Sequence, residues 1–436
     1  MNVSIITVFK ELYDPFLQTS LLKRAQENNL VSFSVNSFFE YVRPKERIDA
    51  PTFGHGAGML IKPLVVQQAI ETQEKKYGDA FKIFFSPHGK KLDQRLLEVI
   101  ARKFQEKKHL MLLPARYEGM DARVEEQYAD EIISVGDFVL MGGDLPAMML
   151  LEGLLRFIPG VVGKQESVQR DSFSGPFVDY PEYTEPVEWQ GRVVPEIIRS
   201  GNYAVIEKWR QQQAVDRTIV GHFDWLRTQM LSLDQKKLVY RTVPAHYTVL
   251  MHDEVLIGPE KQVGTSSVMS IDIHDLARSS STYGIKNYFI VTPLIDQQKI
   301  IKTFLEFWHE GPGVEYRENR HVALKIVDVQ DSLDRVVESI EKIEGKKPLL
   351  IATSAQKGFA QAHQKITFYD QDLVWAQGRP VLFVFGTANG LSPAVIERCD
   401  YLLPPVEGLT DFNHLSVRSA CAIILDRWMG LNQSRV

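Results

Sequence analysis

The 436-residue sequence is poor in cysteine and in long apolar runs, and its charges nearly cancel. Its only two cysteines, Cys399 and Cys421, show no metal-ligand or CxxC spacing, which excludes a disulfide framework and points to a reducing compartment. No apolar run approaches ~18 residues, and the opening MNVSIITVFKELYDPF has no basic segment leading into a long apolar core. No membrane partner is expected, and the expected location is cytoplasmic. Lys and Arg total 50 against 55 Asp and Glu, so no global basic field advertises nucleic acid, although a local basic face escapes a whole-chain count. GxxxxGK[ST], GxGxxG and HExxH are also missing, which removes the strongest signals for P-loop hydrolysis, Rossmann dinucleotide binding and zinc.

What is present is the balance of a globular protein, 44% apolar and 24% charged. At ~100–200 residues per domain, the length implies two to four domains. Beyond Pro244 stand 19 Lys and Arg against 23 Asp and Glu, so the slight acidity lies mostly in the C-terminal part. Short β-branched and aromatic runs at 3–8, 82–86, 110–114 and 132–140 read as strands, with helices over 64–77 and 93–104 between them. That alternation argues for an α/β layered fold with a mostly parallel sheet. Residues 160–188 are rich in Gly, Ser, Pro and acids and lack periodicity, so they read as a long loop. Helical stretches at 200–215 and 224–241 suggest a small helical domain. Alternation then restarts, with strands expected at 247–251, 287–292, 321–327, 348–353 and 381–385. Amphipathic helices are expected at 297–309 and 332–344, ended by Gly311 and Gly345.

Glycine-rich turns after strands let backbone groups approach a ligand closely. Three such segments, FGHGAGML (53–60), LPARYEGMD (113–121) and SVGDFVLMGGDLP (134–146), precede RFIPG (156–160) and RDSFSG (170–175). Singly, each is as readily a plain turn or a solvated loop. Their order is more specific. Together with the Leu92–Asp93–Gln94 step, PEYTEP and SGNYAVIEKWR, they make residues 1–243 closely resemble the TrmD family of bacterial tRNA (guanine-N1)-methyltransferases.

The resemblance implies an α/β SPOUT fold, in which a trefoil knot holds S-adenosylmethionine, and an obligate homodimer acting on tRNA. It implies Asp171 as general base and Arg156 as its catalytic partner. The implied cofactor residues are Phe85, Ser86, Pro87, Ala115, Tyr117, Glu118, Val135, Gly136, Asp137, Phe138, Val139, Leu140, Gly142, Gly143 and Pro146. Gly54, Gly56, Gly58 and Met59 would receive the guanine, Lys208 and Arg210 would meet tRNA phosphates, and Glu118 would help place Mg2+. Guanine N1 carries a proton, so a positioned carboxylate and a guanidinium facing O6 are the chemistry this methylation requires. Ala115 stands where the family usually has glycine, and Glu182 where it has histidine.

Beyond Pro244, SIDIHDLARSSSTYGIKNYFIVTP, LLIATSA, VLFVFGTANGL and DYLLPPVEGLTDFNHLSVRSACAIILDR resemble a second SPOUT-type S-adenosylmethionine-dependent RNA methyltransferase domain. That resemblance implies cofactor contacts at Gly386, Asn389, Gly390, Leu403, Pro404 and Ser416, with Arg278 as catalytic candidate for ribose 2′-O-methylation. Asp272, Ala388 and His414 depart from that pattern, which leaves a non-catalytic cofactor-binding or tRNA-docking module as the alternative. The expected organisation is α/β with two SPOUT domains, at 1–160 and 244–436. A substrate loop at 161–188 and a small helical domain at 189–243 would lie between them.

Overall fold

The computed structural model describes residues 1–162, 171–311, 313–356 and 364–431, so residues 163–170 of the expected 160–188 loop lie outside the described residues. The chain divides into two compact units, residues 1–175 and 176–436.

The first unit is built on five parallel strands: β1 (Asn2–Thr7), β2 (Ser32–Ser37), β3 (Phe81–Lys91), β4 (His109–Leu113) and β5 (Glu131–Ser134), in the order β2-β1-β4-β3-β5. Alternate strand residues supply two cores. Val3, Ile5 and Leu112 join one, and Ile6, Phe84 and Met111 the other, so both faces of the sheet are covered, as a parallel sheet requires. Helix α1 (Pro63–Tyr77) starts on a proline and stops at Gly78, while α2 (Gln94–Lys107) is capped by the Asp93 carboxylate accepting from Leu96 N–H at 2.8 Å. Helix α3 (Asp144–Leu155) is buried on several sides and carries no amphipathic period that would have revealed it.

The strand expected over 132–140 ends at Ser134. The Ser134 hydroxyl donates to Gly136 C=O at 3.1 Å, closing a tight turn that frees residues 135–140 as a loop.

The second unit carries seven parallel strands: β6 (His246–Met251), β7 (Tyr288–Val291), β8 (Val327–Gln330), β9 (Leu349–Ala352), β10 (Gln364–Lys365), β11 (Val381–Gly386) and β12 (Tyr401–Leu402). Their order is β8-β7-β6-β11-β9-β12-β10. The expected strand at 321–327 is instead the end of a helix, Glu318–Leu324. His321 Nδ1 there meets Trp308 C=O at 2.7 Å, and the strand forms only where β7 offers a parallel partner. The expected helix at 224–241 is two, Phe223–Leu226 and α5 (Leu233–Thr242). Helices α4 (Tyr203–Gly221) and α5 have no core of their own. Val215, Ile219 and Val239 share one cluster with Leu250, Phe383 and Trp428. Helices α6 (Ser270–Thr282), α7 (Ile295–His309), α8 (Leu333–Glu344) and α9 (Val417–Met429) complete the layers named here. No helix among the described residues is long and apolar enough to cross a membrane.

Candidate active sites

In the first unit a cavity of about 430 Å³ opens at the C-terminal ends of β3, β4 and β5, the edge where open α/β sheets bind ligands. A bulge builds one wall. The pairing of β3 with β5 shifts between Phe85 and Lys90, which turns Ser86, Pro87 and His88 toward the cavity. The 113–121 turn supplies Ala115, Tyr117 and Glu118, with Tyr117 held at φ +59°, a conformation costly for a bulky residue. The loop freed after Ser134 supplies Val135, Phe138, Val139 and Leu140.

The glycines of 134–146 are required by closeness. A Cβ on Gly143 would lie 2.9 Å from Pro114 Cα, and one on Gly142 2.4 Å from Arg116 Cδ. Gly143 N–H donates to Ala115 C=O at 2.8 Å, a backbone contact indifferent to alanine standing for glycine there.

Of the fifteen expected cofactor residues, all line this cavity except Gly136 and Asp137. Gly136 forms the turn after β5, and Asp137 points away to pair with Lys91 at 2.8 Å. Below the loop, fully buried Asp144 accepts from Arg116 Nε at 2.7 Å, Thr7 Oγ1 at 2.5 Å and Tyr13 Oη at 3.1 Å. Burial next to that carboxylate drives the Tyr13 pKa up. This network fixes Arg116, which lies in the 113–121 motif but is not among the expected cofactor residues; it lines the cavity, as do His88 and Glu125. His88 Nδ1 meets Ser86 Oγ at 2.7 Å and its Nε2 lies 3.5 Å from Glu125, whose carboxyl is shifted upward by burial and partly drawn back by His88.

Arg156 follows α3 as its C-cap, and its guanidinium donates to the Asp171 carboxylate in a short ion pair. Both side chains remain partly solvent-accessible, at 45% and 26%. Gly54, Gly56 and Gly58 lie in the loop of a hairpin whose second strand begins at Met59, and a Cβ on Gly58 would run into the Glu118 side chain. Glu118 shares the cavity lining with Glu125 and His88. Among the described residues no three His, Cys, Asp or Glu side chains gather as a metal site, so the donor set does not fit a protein-held Mg2+.

Lys208 and Arg210 lie on α4 in the second unit. Lys208 is exposed, whereas Arg210 rests 4.7 Å over the Tyr180 ring, with Glu182 at 4.0 Å and Glu207 at 3.9 Å.

The second unit has its own cavity of about 660 Å³ at the C-terminal ends of β6, β9, β11 and β12. Gly386, Asn389, Gly390, Pro404 and Ser416 line it, while Leu403 is buried in the core instead. The Asn389 side-chain amide donates to Gly258 C=O at 2.8 Å, tying a small hairpin to the 386–390 loop. Arg278 lies outside, in an adjoining open groove that shares Ser416 and Arg418 with the cavity. Lining residues not among the expected contacts include His252 and Lys261, outside the quoted motifs, and Arg418, within the last of them. Arg418 donates to Asp272 at 2.7 Å, a carboxylate almost wholly buried.

The family model described as tRNA (guanine-1)-methyltransferase TrmD matches residues 1–228. A relative from Nitratidesulfovibrio vulgaris, named tRNA (guanine-N(1)-)-methyltransferase, is 35% identical over 436 residues, covering 99% of both chains. The chain belongs to the TrmD family. A second like-named relative, from Oleidesulfovibrio alaskensis, is 34% identical over 440 residues and likewise covers 99% of each chain. A Bacillus subtilis member is 38% identical over 241 residues, 98% of its length but 55% of this one. Family members thus occur with and without the C-terminal half, and here that half, residues 245–430, matches the model described as SAM-dependent RNA methyltransferase.

Proposed function

We propose that the first unit transfers a methyl group from S-adenosylmethionine to N1 of the guanine just 3′ of the anticodon, position 37 of tRNA. The observation that carries this reading is the Arg156–Asp171 pair, in a unit whose cofactor-sized cavity is lined by the family's motif residues. That cavity suits the cofactor. Its volume falls in the usual range, and its glycine cradle leaves room for no side chain at Gly142 or Gly143.

S-adenosylmethionine supplies an electrophilic methyl group when bound. Asp171 accepts the guanine N1 proton, raising nucleophilicity at the reacting atom, and Arg156 donates to O6 as negative charge builds there. With no guanine present the two side chains neutralise each other, so substrate entry exchanges that pair for contacts to the base. The 54–58 loop positions the guanine, and Lys208 contacts the tRNA backbone. We further place both cofactor sites in SPOUT trefoil knots within a cytoplasmic homodimer. The all-parallel sheets with cavities at their C-terminal edges are in keeping with that fold.

For the second unit we propose S-adenosylmethionine-dependent methylation of an RNA ribose 2′-O, with Arg278 in the groove beside the cavity facing the substrate.

Asp171→Asn tests the base assignment. Nucleoside mass spectrometry of treated tRNA should show loss of N1-methylguanine by at least about a hundredfold, while S-adenosylhomocysteine still binds the first unit. Unchanged turnover would remove Asp171 from the reaction.

A further inference from the structure

His252 directly follows β6 and lines the second cavity, with only 1% of its surface exposed. Its ring sits at the head of a hydrogen-bond chain. His252 Nδ1 meets Ser266 Oγ at 3.0 Å, Ser266 Oγ meets Thr387 Oγ1 at 2.6 Å, and Thr387 Oγ1 donates to Met251 C=O at 2.9 Å.

Only one proton assignment satisfies all three contacts. A carbonyl only accepts, so the single Thr387 hydroxyl proton is committed to Met251. Ser266 must then donate to Thr387, which leaves Ser266 an acceptor toward the ring. His252 therefore carries its proton on Nδ1. Burial holds the imidazole neutral, its pKa depressed to about 4 despite an opposing contribution from the Ser267 backbone. The Nε2 lone pair is buried and has no hydrogen-bond partner among the described residues. An imidazole with so low a pKa is a poor general base, but it is a fixed, uncharged acceptor.

Buried acceptors are costly when unsatisfied and are normally matched. Met251 pairs with Gly386 across β6 and β11, so His252 and Thr387 emerge side by side where the 386–390 loop begins. Gly386 itself lines the cavity, and a Cβ there would lie 2.6 Å from Leu391 N, so the 386–390 loop folds tightly back on this strand end. The same cavity offers Lys261 and the Asp272–Arg418 pair as charged partners for the ends of a zwitterionic group. A neutral imidazole cannot compensate a desolvated ammonium, but it matches a hydroxyl or an exocyclic amine.

We propose that His252 Nε2 accepts a hydrogen bond from the adenosyl moiety, through a ribose hydroxyl or the adenine amine, of the cofactor in the C-terminal cavity. This rests on the reading that the second unit binds S-adenosylmethionine. His252 is thus a specificity-determining residue whose tautomer is imposed by Ser266 and Thr387.

Calorimetry on the full chain tests it, because the first unit supplies an unaltered reference site. Wild type should bind two equivalents of S-adenosylhomocysteine. In His252→Phe one of the two should weaken about tenfold, and 5′-methylthioadenosine, which lacks the amino-acid end, should weaken equally. His252→Gln, which keeps an acceptor, should recover most of the affinity at a thermal stability like that of His252→Phe. Ring 15N chemical shifts of wild-type His252 should show Nδ1 protonated, with the Nε2 signal moving on ligand addition. Unchanged second-site affinity in His252→Phe, or loss for S-adenosylhomocysteine alone, overturns the assignment while leaving the cofactor reading intact. A single equivalent in wild type overturns both.

Discussion

His246, at the start of β6, shows how much a buried side chain can couple to solvent conditions. Its Nδ1 donates to Pro244 C=O at 2.6 Å, and its Nε2 accepts from the indole N–H groups of Trp375 at 3.0 Å and Trp428 at 3.1 Å. Complete burial depresses its pKa to about 4, against the opposing pull of the Pro244 carbonyl. An unfolded histidine titrates near 6.5, so between pH ~6.5 and ~4 the unfolded chain takes up a proton that the native ring resists. Stability is therefore intact above that window and falls as pH drops through it, by up to about 3 kcal/mol. The urea midpoint of the second unit should fall between pH 7.5 and pH 5. A midpoint unmoved over that range would contradict the assignment. Both cysteines behave as core residues, their thiol pKa values pushed up by burial, Cys399 to about 12.

At the scale of elements, α9 joins fold to site. Ser416 caps it, its hydroxyl accepting from Ser419 N–H at 3.3 Å, while also lining the second cavity. Ser416→Ala should cost about 1 kcal/mol in the unfolding of the second unit. It should also reduce S-adenosylhomocysteine affinity there, both readable by thermal shift with and without ligand. A lower melting temperature with an undiminished ligand-induced shift would confine Ser416 to capping.

Elements with a clear period were legible in the sequence. Helix α8, with its glycine stop at Gly345, and strands β1, β4, β6 and β11 lie within one or two residues of the pattern-based reading. Helix α3 was not legible, because its apolar surround erases the 3.6-residue period. The run at 321–327 misled because tertiary contacts of His321, Ala323 and Leu324 override a β-like composition. The first cavity was legible through the order of motifs, one of which contains Arg116, while the hold of Asp144 on that arginine and the meeting of His88 with Glu125 beside the bulge in β3 carry no pattern. His252 was illegible for the same reason. Its partner Ser266 is 14 residues away, and Ser266 in turn meets Thr387 a further 121 residues on.

For the whole molecule, the boundary matters to any dissection. A cut at 243/244 would split one hydrophobic cluster, parting Val215, Ile219, Phe223, Leu226 and Val239 from Trp375, Phe383 and Trp428 and exposing apolar surface on both fragments. A cut at 175/176 follows the division between the units. Residues 176–436 should thus elute as a folded species with a cooperative melt, whereas 244–436 should aggregate or melt broadly in size-exclusion and circular-dichroism measurements. A well-behaved 244–436 fragment would show that these helices are dispensable to the core. The near-neutral charge of the chain also takes on a definite meaning here. With 50 Lys and Arg against 55 Asp and Glu, no field of the whole surface favours a polyanion, so the proposed RNA contacts rest on local features such as the exposed Lys208 and Arg278.

That same boundary divides the chromophores. All six tryptophans, at 189, 209, 225, 308, 375 and 428, fall after Gly175. Intrinsic indole emission therefore watches residues 176–436 alone, with Trp375 and Trp428 reporting the protonation of His246 from inside the core. Far-ultraviolet dichroism sums both units. The difference between the two unfolding curves isolates the first unit, and with it the Arg156–Asp171 pair, without a label or a truncation.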